Sequence, residues 1–400
     1  MQSASVLASQ ALQMKTDSGG QRFSKHPTTI SQAFKGRTAH SRMKCKEVRA
    51  TRSVQTAASS GSNVAMEQQD QMVTELIEFL KEDLKHLFDD QGIDQSKYED
   101  NVIFSDPITK HSSLRGYLLN IDFLKKVFDP AFNLLDIRQT GPNEITTRWS
   151  MVMKPTFVLS PLEKFWNPVL TFTGTSIMGI NPATGKFNSH SDTWDAVSNQ
   201  QFFSLEAFMH MLSQVSDLRR IPVGLESPPY TVLLKKANYE VRKYDPFVVA
   251  EAPYGSSGPA AFGALAGYIF GRNTQGAKMA MTTPVLSTAG NSMQFYLGKS
   301  TGAVTTAPQP LDPKINVKQE SGGIFVVSTF SGFGDESAAA VKAAELRRIA
   351  QLDGIPLVPG ATWVLARYND PGTPAPFRRN DVMFPVDESK FELWEFNAKL

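Results

Sequence analysis

The stretch Ala261–Leu286, AFGALAGYIFGRNTQGAKMAMTTPVL, decides how the second half of this 400-residue chain is read. Phe262, Leu265, Ala266 and Ile269 recur at three- and four-residue spacing, which predicts one face of a short apolar helix. Gly271 stops that helix, and RNTQG makes a polar turn. Met279 and Met281 are two residues apart, so on a strand over AKMAMTTPV they share a face. An apolar helix beside a two-methionine face could form one wall of a hydrophobic groove. Ordinary core packing accounts for the same pattern, and composition alone leaves both open.

Outward from this stretch, the C-terminal half contains a weak internal duplication. YEVRKYDPFVVAE (Tyr239–Glu251) reads as a hairpin, followed by a helix over 259–270 and a strand in KMAMTTPV. INVKQESGGIFVVSTF reads as a second hairpin, followed by the helix of SAAAVKAAELRRIAQLDG and the strand of TWVLARYND. Ser337 is the expected N-cap of the second helix and Gly354 its stop. Ala339, Ala343, Leu346 and Ala350 face its core. Two such units pairing their strands give a closed or distorted β-barrel flanked by two helices.

YEVRKYDPFVVAE, the AFGALAGYIFG helix, AKMAMTTPV (Ala277–Val285) and YNDPGTPAPFRRNDV (Tyr368–Val382) together resemble the SOUL/haem-binding-protein family, over about the last 170 residues. The resemblance implies a SOUL-like distorted β-barrel that holds haem or another tetrapyrrole non-covalently. The slot it implies comes from Phe262, Leu265, Ile269, Met279 and Met281, with Tyr268 and Tyr296 nearby. Arg272 and Lys278 would hold the carboxylates. All six histidines (His26, His40, His86, His111, His190 and His210) precede this half, leaving only tyrosine or methionine as axial donors there. Binding through the hydrophobic face of the macrocycle, with little iron coordination, is therefore expected, and metal-free porphyrins should bind comparably. Arg378, Arg379 and Asn380 belong to a family motif; hydrogen bonds that anchor the last loop are an equally good role for them.

The preceding half reads as α+β. In MVTELIEFLKEDLKHLF, positions Val73, Leu76, Ile77, Leu80, Leu84 and Leu87 trace one face of an amphipathic helix. Order is expected to begin near Met66, and Asp89, Asp90 and Gly92 to end the helix. YEDNVIFSDP is a short extended piece, and GYLLNIDFLKKVFD a second helix ended by Pro130. From Leu134 the period changes to two: LLDIRQT, EITTRWSMVMK, VLTFTGTSIMGI and GKFNSHSDTWDAV are strands. QFFSLEAFMHMLSQVSDL closes the unit, and RRIPVGLESPPY reads as a linker. The pattern gives a cone of helices plus an antiparallel sheet. FSDP, RWSM, the FTG strand and SHSDTWD resemble the NTF2-like domain that precedes SOUL domains in plant and algal plastid proteins. The expected organisation is a leader over 1–65, an NTF2-like domain over 66–218, a linker over 219–229 and a SOUL-like domain over 230–400.

NTF2-like cones often enclose a pocket, and Asp106, Asp136, His190, Asp192 and Asp195 are the candidates for an acid–base site in one. Turn formation at Asp106-Pro107 and a solvated strand end at NSHSDTWD account for the same residues.

Residues 1–65 carry ten basic side chains and two acidic ones, whereas the whole chain has 41 and 39. A basic leader rich in Ser and Thr has the composition of an organelle transit peptide, with a chloroplast address favoured. Cys45 is the one cysteine and lies in that leader. The rest of the chain therefore offers no disulfide, iron–sulfur site, thiolate-ligated haem or nucleophilic cysteine. The acidic excess after residue 65 argues against nucleic-acid binding. No P-loop, dinucleotide fingerprint, HExxH or GxSxG occurs, and no apolar run is long enough to span a bilayer. The expected function is a soluble, non-catalytic plastid tetrapyrrole binder or carrier. The alternatives are a structural or adaptor protein associated with plastid lipid globules or an eyespot, and an isomerase-like enzyme in the N-terminal cone.

Overall fold

The computed structural model describes residues 55–158, 166–219, 221–254, 258–288 and 291–396. Residues 1–54 of the expected leader, with Cys45, lie outside the described residues. Helix α1 (Gln55–Asp83) starts ahead of Met66, so helical order reaches into the segment expected to be unstructured. Val73, Leu76 and Leu80 form its buried side, and Asp89 ends the run by accepting from the Gln91 and Gly92 amides.

Strands β1 (Tyr98–Ser105) and β2 (Lys110–His111), helix α2 (Leu114–Val127), and strands β3 (Phe128–Gly141), β4 (Glu144–Pro155), β5 (Leu170–Asn181) and β6 (Lys186–Trp194) follow, then helix α3 (Leu205–Val215). They build a six-stranded sheet in the order β2-β1-β6-β5-β4-β3. The helices pack on one face of it through Val73, Leu80, Tyr117, Ile145, Met178 and Phe187. Two features depart from the sequence expectation. The sheet is not wholly antiparallel, because β1 pairs with β6 in parallel. Pro130 does not end α2 but lies inside β3. That strand is the sheet's edge, where a missing N–H removes no ladder bond.

The C-terminal half contains β7 (Tyr230–Lys235), β8 (Glu240–Tyr244), β9 (Phe247–Pro253), α4 (Gly258–Ile269), β10 (Val285–Thr288), β11 (Ser292–Tyr296), β12 (Asn316–Glu320), β13 (Gly323–Phe330), α5 (Glu336–Leu352), β14 (Val364–Arg367) and β15 (Asn380–Pro385). They form a curled nine-stranded antiparallel half-barrel, ordered β12-β9-β11-β10-β14-β15-β13-β8-β7. The expected hairpins do not form. β8 pairs with β13 (Val241 opposite Val326), and β9 pairs with β12 (Ala250 opposite Val317). Asp245-Pro246 and Ser321-Gly322 are corners at which each chain segment crosses from one arm of the sheet to the other. The corners touch: Gly322 has φ 74°, and a Cβ on it would lie 2.3 Å from the Tyr244 carbonyl oxygen.

Two local expectations also change. Asp335, not Ser337, caps α5, accepting from the Ala338 amide at 2.8 Å; its carboxylate also accepts from the Ser337 hydroxyl. Ala339, Ala343, Leu346 and Ala350 are buried beneath α5 as expected. The strand of AKMAMTTPV starts only at Val285, so Met279 and Met281 do not share a strand face.

Both helices cover one face of the half-barrel. α4 lies over Val248, Ala250 and Met293, and α5 over Val241, Val326 and Val382. Tyr244, Phe325, Leu286 and Met383 point to the opposite face.

The N-terminal sheet meets β7. Arg148, fully buried, donates to both oxygens of Asp195 at 2.7 and 2.5 Å and to the Leu233 carbonyl at 3.2 Å. Thr173 donates to Asp195 at 2.5 Å and accepts from the Lys235 amide at 2.7 Å. Near the C-terminus, Trp394 packs on Arg138, 3.8 Å from guanidinium carbon to ring centre, and donates to Asp136.

Candidate functional site

Helix α4 contains no charged residue, so its sequence alone gives it no preferred solvent face. Packing supplies one. Ala261, Leu265, Tyr268 and Ile269 are buried against the sheet, each large apolar side chain contributing about 1.5–3 kcal/mol. The helix ends in a reversed turn: Gly271, at φ 109°, donates to the Tyr268 carbonyl at 3.3 Å, and Arg272 donates to the Gly267 carbonyl at 2.8 Å. Only a residue at ease with positive φ fits that position, which is why the stop is glycine. Asn273 then clamps RNTQG. Its amide nitrogen donates to the Tyr268 and Ala277 carbonyls, and its oxygen accepts from the Gln275 and Ala277 amides. The Met279 amide donates to Ile269, which ties the methionine segment to the helix end.

The outer face of α4 is apolar and open. Phe262 is 48% exposed and Phe270 58%. Gly263 has nothing within 4 Å of where its Cβ would be. Arg272 lies back over Gly267. Arg272 and Lys278 are both exposed, and neither has a carboxylate partner among the described residues. The surface is thus a bare helix strip between two phenylalanines, with two unpaired cations at one end.

The nine residues expected at a slot therefore separate. Leu265, Tyr268 and Ile269 lie beneath the helix, and Met279 is half-buried in the same cluster. Phe262, Arg272, Lys278 and Met281 are exposed. Tyr296 belongs to the other face of β11, where its hydroxyl donates to Glu226 at 3.3 Å and its ring meets Phe247. None of the nine lines either of the two cavities described below. Of the four positions spaced as one helix face, Leu265 and Ile269 are buried, whereas Phe262 is exposed and Ala266 half-buried; periodicity missed the burial of Ala261 and Tyr268 and the exposure of Phe270.

Neither tyrosine is available to a metal. Tyr268 donates to the Pro308 carbonyl at 2.6 Å, and burial raises its phenol above the usual range. Burial, then the adjacent Glu226 carboxylate, pushes Tyr296 up to about 12.

On the inner face of the half-barrel, a cavity of about 410 Å³ is lined by Tyr230, Tyr244, Phe247, Leu286, Phe325 and Met383. Its polar rim is net negative: Lys318 lies 3.0 Å from both Glu251 and Glu320, and Gln294 bridges the same two carboxylates. Behind it, Asp381 is held well below the usual carboxylate range although burial opposes this; Arg379 and Arg242 beside it outweigh that cost. Arg378, Arg379 and Asn380 anchor loops. Arg378 donates to the Thr373 and Pro371 carbonyls, the Arg379 amide to Asn369, and Asn380 to Gly332.

A second cavity, of about 270 Å³, lies in the N-terminal half. Of the acid–base candidates, Asp106, His190 and Asp192 line it. Asp136 and Asp195 do not; they are held by Trp394 and by Arg148.

Residues 225–385 match the family described as SOUL heme-binding protein. The SOUL match spans β7 to β15 and contains the whole of α4. Residues 74–190 match a second family, described as Uncharacterized conserved protein (DUF2358). No curated protein sequence matches the chain. Among solved structures, an NTF2-like protein of unknown function from Exiguobacterium sp. 255-15 is 19% identical, over 26% of this chain and 80% of that one, with a TM-score of 0.21. A hydrolase from Listeria innocua is 13% identical, over 38% and 92%, with a TM-score of 0.28. An LEH-like epoxide hydrolase from M. tuberculosis is 10% identical, over 36% and 95%, with a TM-score of 0.26. Among the described residues, no helix is long and apolar enough to cross a membrane.

Proposed function

We propose that the SOUL-like half binds haem or a related tetrapyrrole non-covalently on the outer face of α4. The family match supports haem binding at the level of the family. The observation that carries the site is the pairing of an open apolar helix strip with two unpaired cations. A macrocycle laid on Gly263 and Ala266 between Phe262 and Phe270 covers apolar surface, at about 25 cal/mol per Å². Arg272 and Lys278 suit its carboxylates. The inner cavity suits a dianion less, since Glu251 and Glu320 outnumber Lys318 there.

The residues fit the macrocycle and its carboxylates but not an axial bond. No histidine occurs after His210, both nearby tyrosines are engaged and held protonated, and the donor that remains, a lone methionine such as the exposed Met281, is a weak one. The iron when bound would supply redox or ligand-binding chemistry; in this chain the contacts on hand serve holding the ring. The role is a carrier or buffer of pigment.

A plastid address is part of the same proposal, supported by the basic, Ser- and Thr-rich composition of residues 1–65. Fusing residues 1–65 to a fluorescent protein in a plant or algal cell tests it; cytosolic fluorescence rejects it. For the ligand, haemin is titrated into the full chain and into Phe262→Glu. Saturable binding that the variant loses supports the site. Equal binding by both chains removes α4 from it.

A further inference from the structure

The N-terminal cavity has a different chemistry. Phe104, Phe132, Trp149, Phe172, Met178 and Trp194 are among the apolar side chains of its wall, and no lysine or arginine lines it. At about 270 Å³ it lies just under the range of drug-sized pockets, which fits a small molecule.

Its polar groups gather at one end. His190 Nε2 and Asp192 Oδ1 are 2.9 Å apart, Ser176 donates to that same oxygen at 2.5 Å, and the Trp149 indole donates to Ser176 at 2.8 Å. Asp106 accepts from the amides of Ile108 and Thr109 and from the Thr109 hydroxyl. These carboxylates are thereby committed within the protein. Tyr117 is not. It is 3% exposed, stacked on Phe104 at 4.7 Å and edge-on to His190 at 5.4 Å, and its hydroxyl has no partner among the described residues. His190 keeps a second buried atom, Nδ1, without a partner. A phenol O–H without a protein acceptor forgoes a hydrogen bond worth about 0.5–1.5 kcal/mol net, which a bound oxygen would supply. Burial raises the Tyr117 phenol well above its ordinary value, so it stays a donor.

We propose that this cavity is a second ligand site, for a small, uncharged, mostly apolar molecule whose single carbonyl or hydroxyl oxygen accepts the Tyr117 O–H. Two carboxylates and no cation on the wall exclude carboxylates and phosphates. A tetrapyrrole with two carboxylates is thus not its ligand, and the proposal stands apart from that for α4.

Calorimetric titration of the full chain with three probes of one shape tests it: 1-indanone, indane and indane-2-carboxylate. The ketone is expected to bind saturably, the hydrocarbon about tenfold more weakly, and the anion not at all. Tyr117→Phe should bring the ketone to the hydrocarbon's affinity without changing the latter. If that variant loses the wild-type circular dichroism spectrum, Leu124→Trp, which fills the cavity from a half-exposed wall position, should abolish binding of both. Equal affinity for ketone and hydrocarbon in the wild type, preference for the anion, unchanged ketone binding in either variant, or no saturable heat with any probe would overturn the proposal.

Discussion

The Cδ of Arg272 lies 2.9 Å from the point that a Cβ on Gly267 would occupy. The contact follows from the backbone: the reversed turn at Gly271 returns Arg272 to the last turn of α4, where its amide meets the Gly267 carbonyl. A cation is thereby held over the bare strip of an uncharged helix. Arrangement of charge beside apolar surface, rather than depth of a pocket, is what suits this face to a flat dianion.

Two substitutions test that arrangement separately. Gly267→Leu places a branched side chain on the path of Arg272, and Arg272→Glu reverses the charge. Each should weaken haemin binding about tenfold, the value of one charge-assisted contact. Thermal midpoints should stay within a few degrees of wild type, since leucine is a better helix former than glycine. Haemin affinity unaltered in Arg272→Glu would remove the carboxylate contact.

The buried pair Arg148–Asp195 joins the N-terminal sheet to β7, so its loss should be felt on both sides. Asp195→Ala leaves a fully buried guanidinium without its bidentate partner and should cost about 3–5 kcal/mol. Urea denaturation measures this. A cost below about 1 kcal/mol would mean that water reaches Arg148.

His210 sets a pH dependence. Burial pushes its imidazole down to about 4, with positive Lys235 adding to the effect. The folded chain keeps the ring neutral while the unfolded chain takes a proton near its ordinary 6.5. The stabilisation is therefore complete above about pH 6.5 and is lost as pH falls toward 4, amounting to about 2 kcal/mol once solvent screening is allowed for. His210→Phe should shrink the drop in urea midpoint between pH 7 and pH 4.5. An unchanged drop would place the sensitive group elsewhere.

At the strand crossing, Gly322→Ala meets both a positive φ and the Tyr244 carbonyl at 2.3 Å. A loss of at least about 1–3 kcal/mol is expected from the strained backbone alone. Gly354→Ala has the same sign of φ and open space, so it should cost less. Equal midpoints for the two variants would show that the corners do not press on each other.

The helices and strands were largely legible because burial imposes a period. Val73, Leu76 and Leu80 mark α1, and Ala339, Ala343, Leu346 and Ala350 mark α5. What period cannot report is partnership. The corner residues Pro246 and Gly322 read equally well as hairpin turns, yet the strands beside them pair across the duplication. Pro130 reads as a helix stop because nothing local says that β3 is an edge. At the site, Leu265, Tyr268 and Ile269 satisfied the groove pattern by being core, while Gly263, Ala266 and Phe270 carry the open face. In the N-terminal cavity, Asp106, His190 and Asp192 were visible as residue types. Tyr117 was not, because its distinction is an unmet hydrogen bond.

The most direct measurement is a pair of titrations of the full chain, with haemin and with protoporphyrin IX, followed by Soret absorbance and by quenching of fluorescence. A site that holds the ring by its face and carboxylates binds both saturably, with dissociation constants within about threefold, and gives no spectrum of an iron–protein bond. Saturable binding of haemin alone, with a tyrosinate or methionine ligand signature, would contradict it, and so would no saturable binding of either.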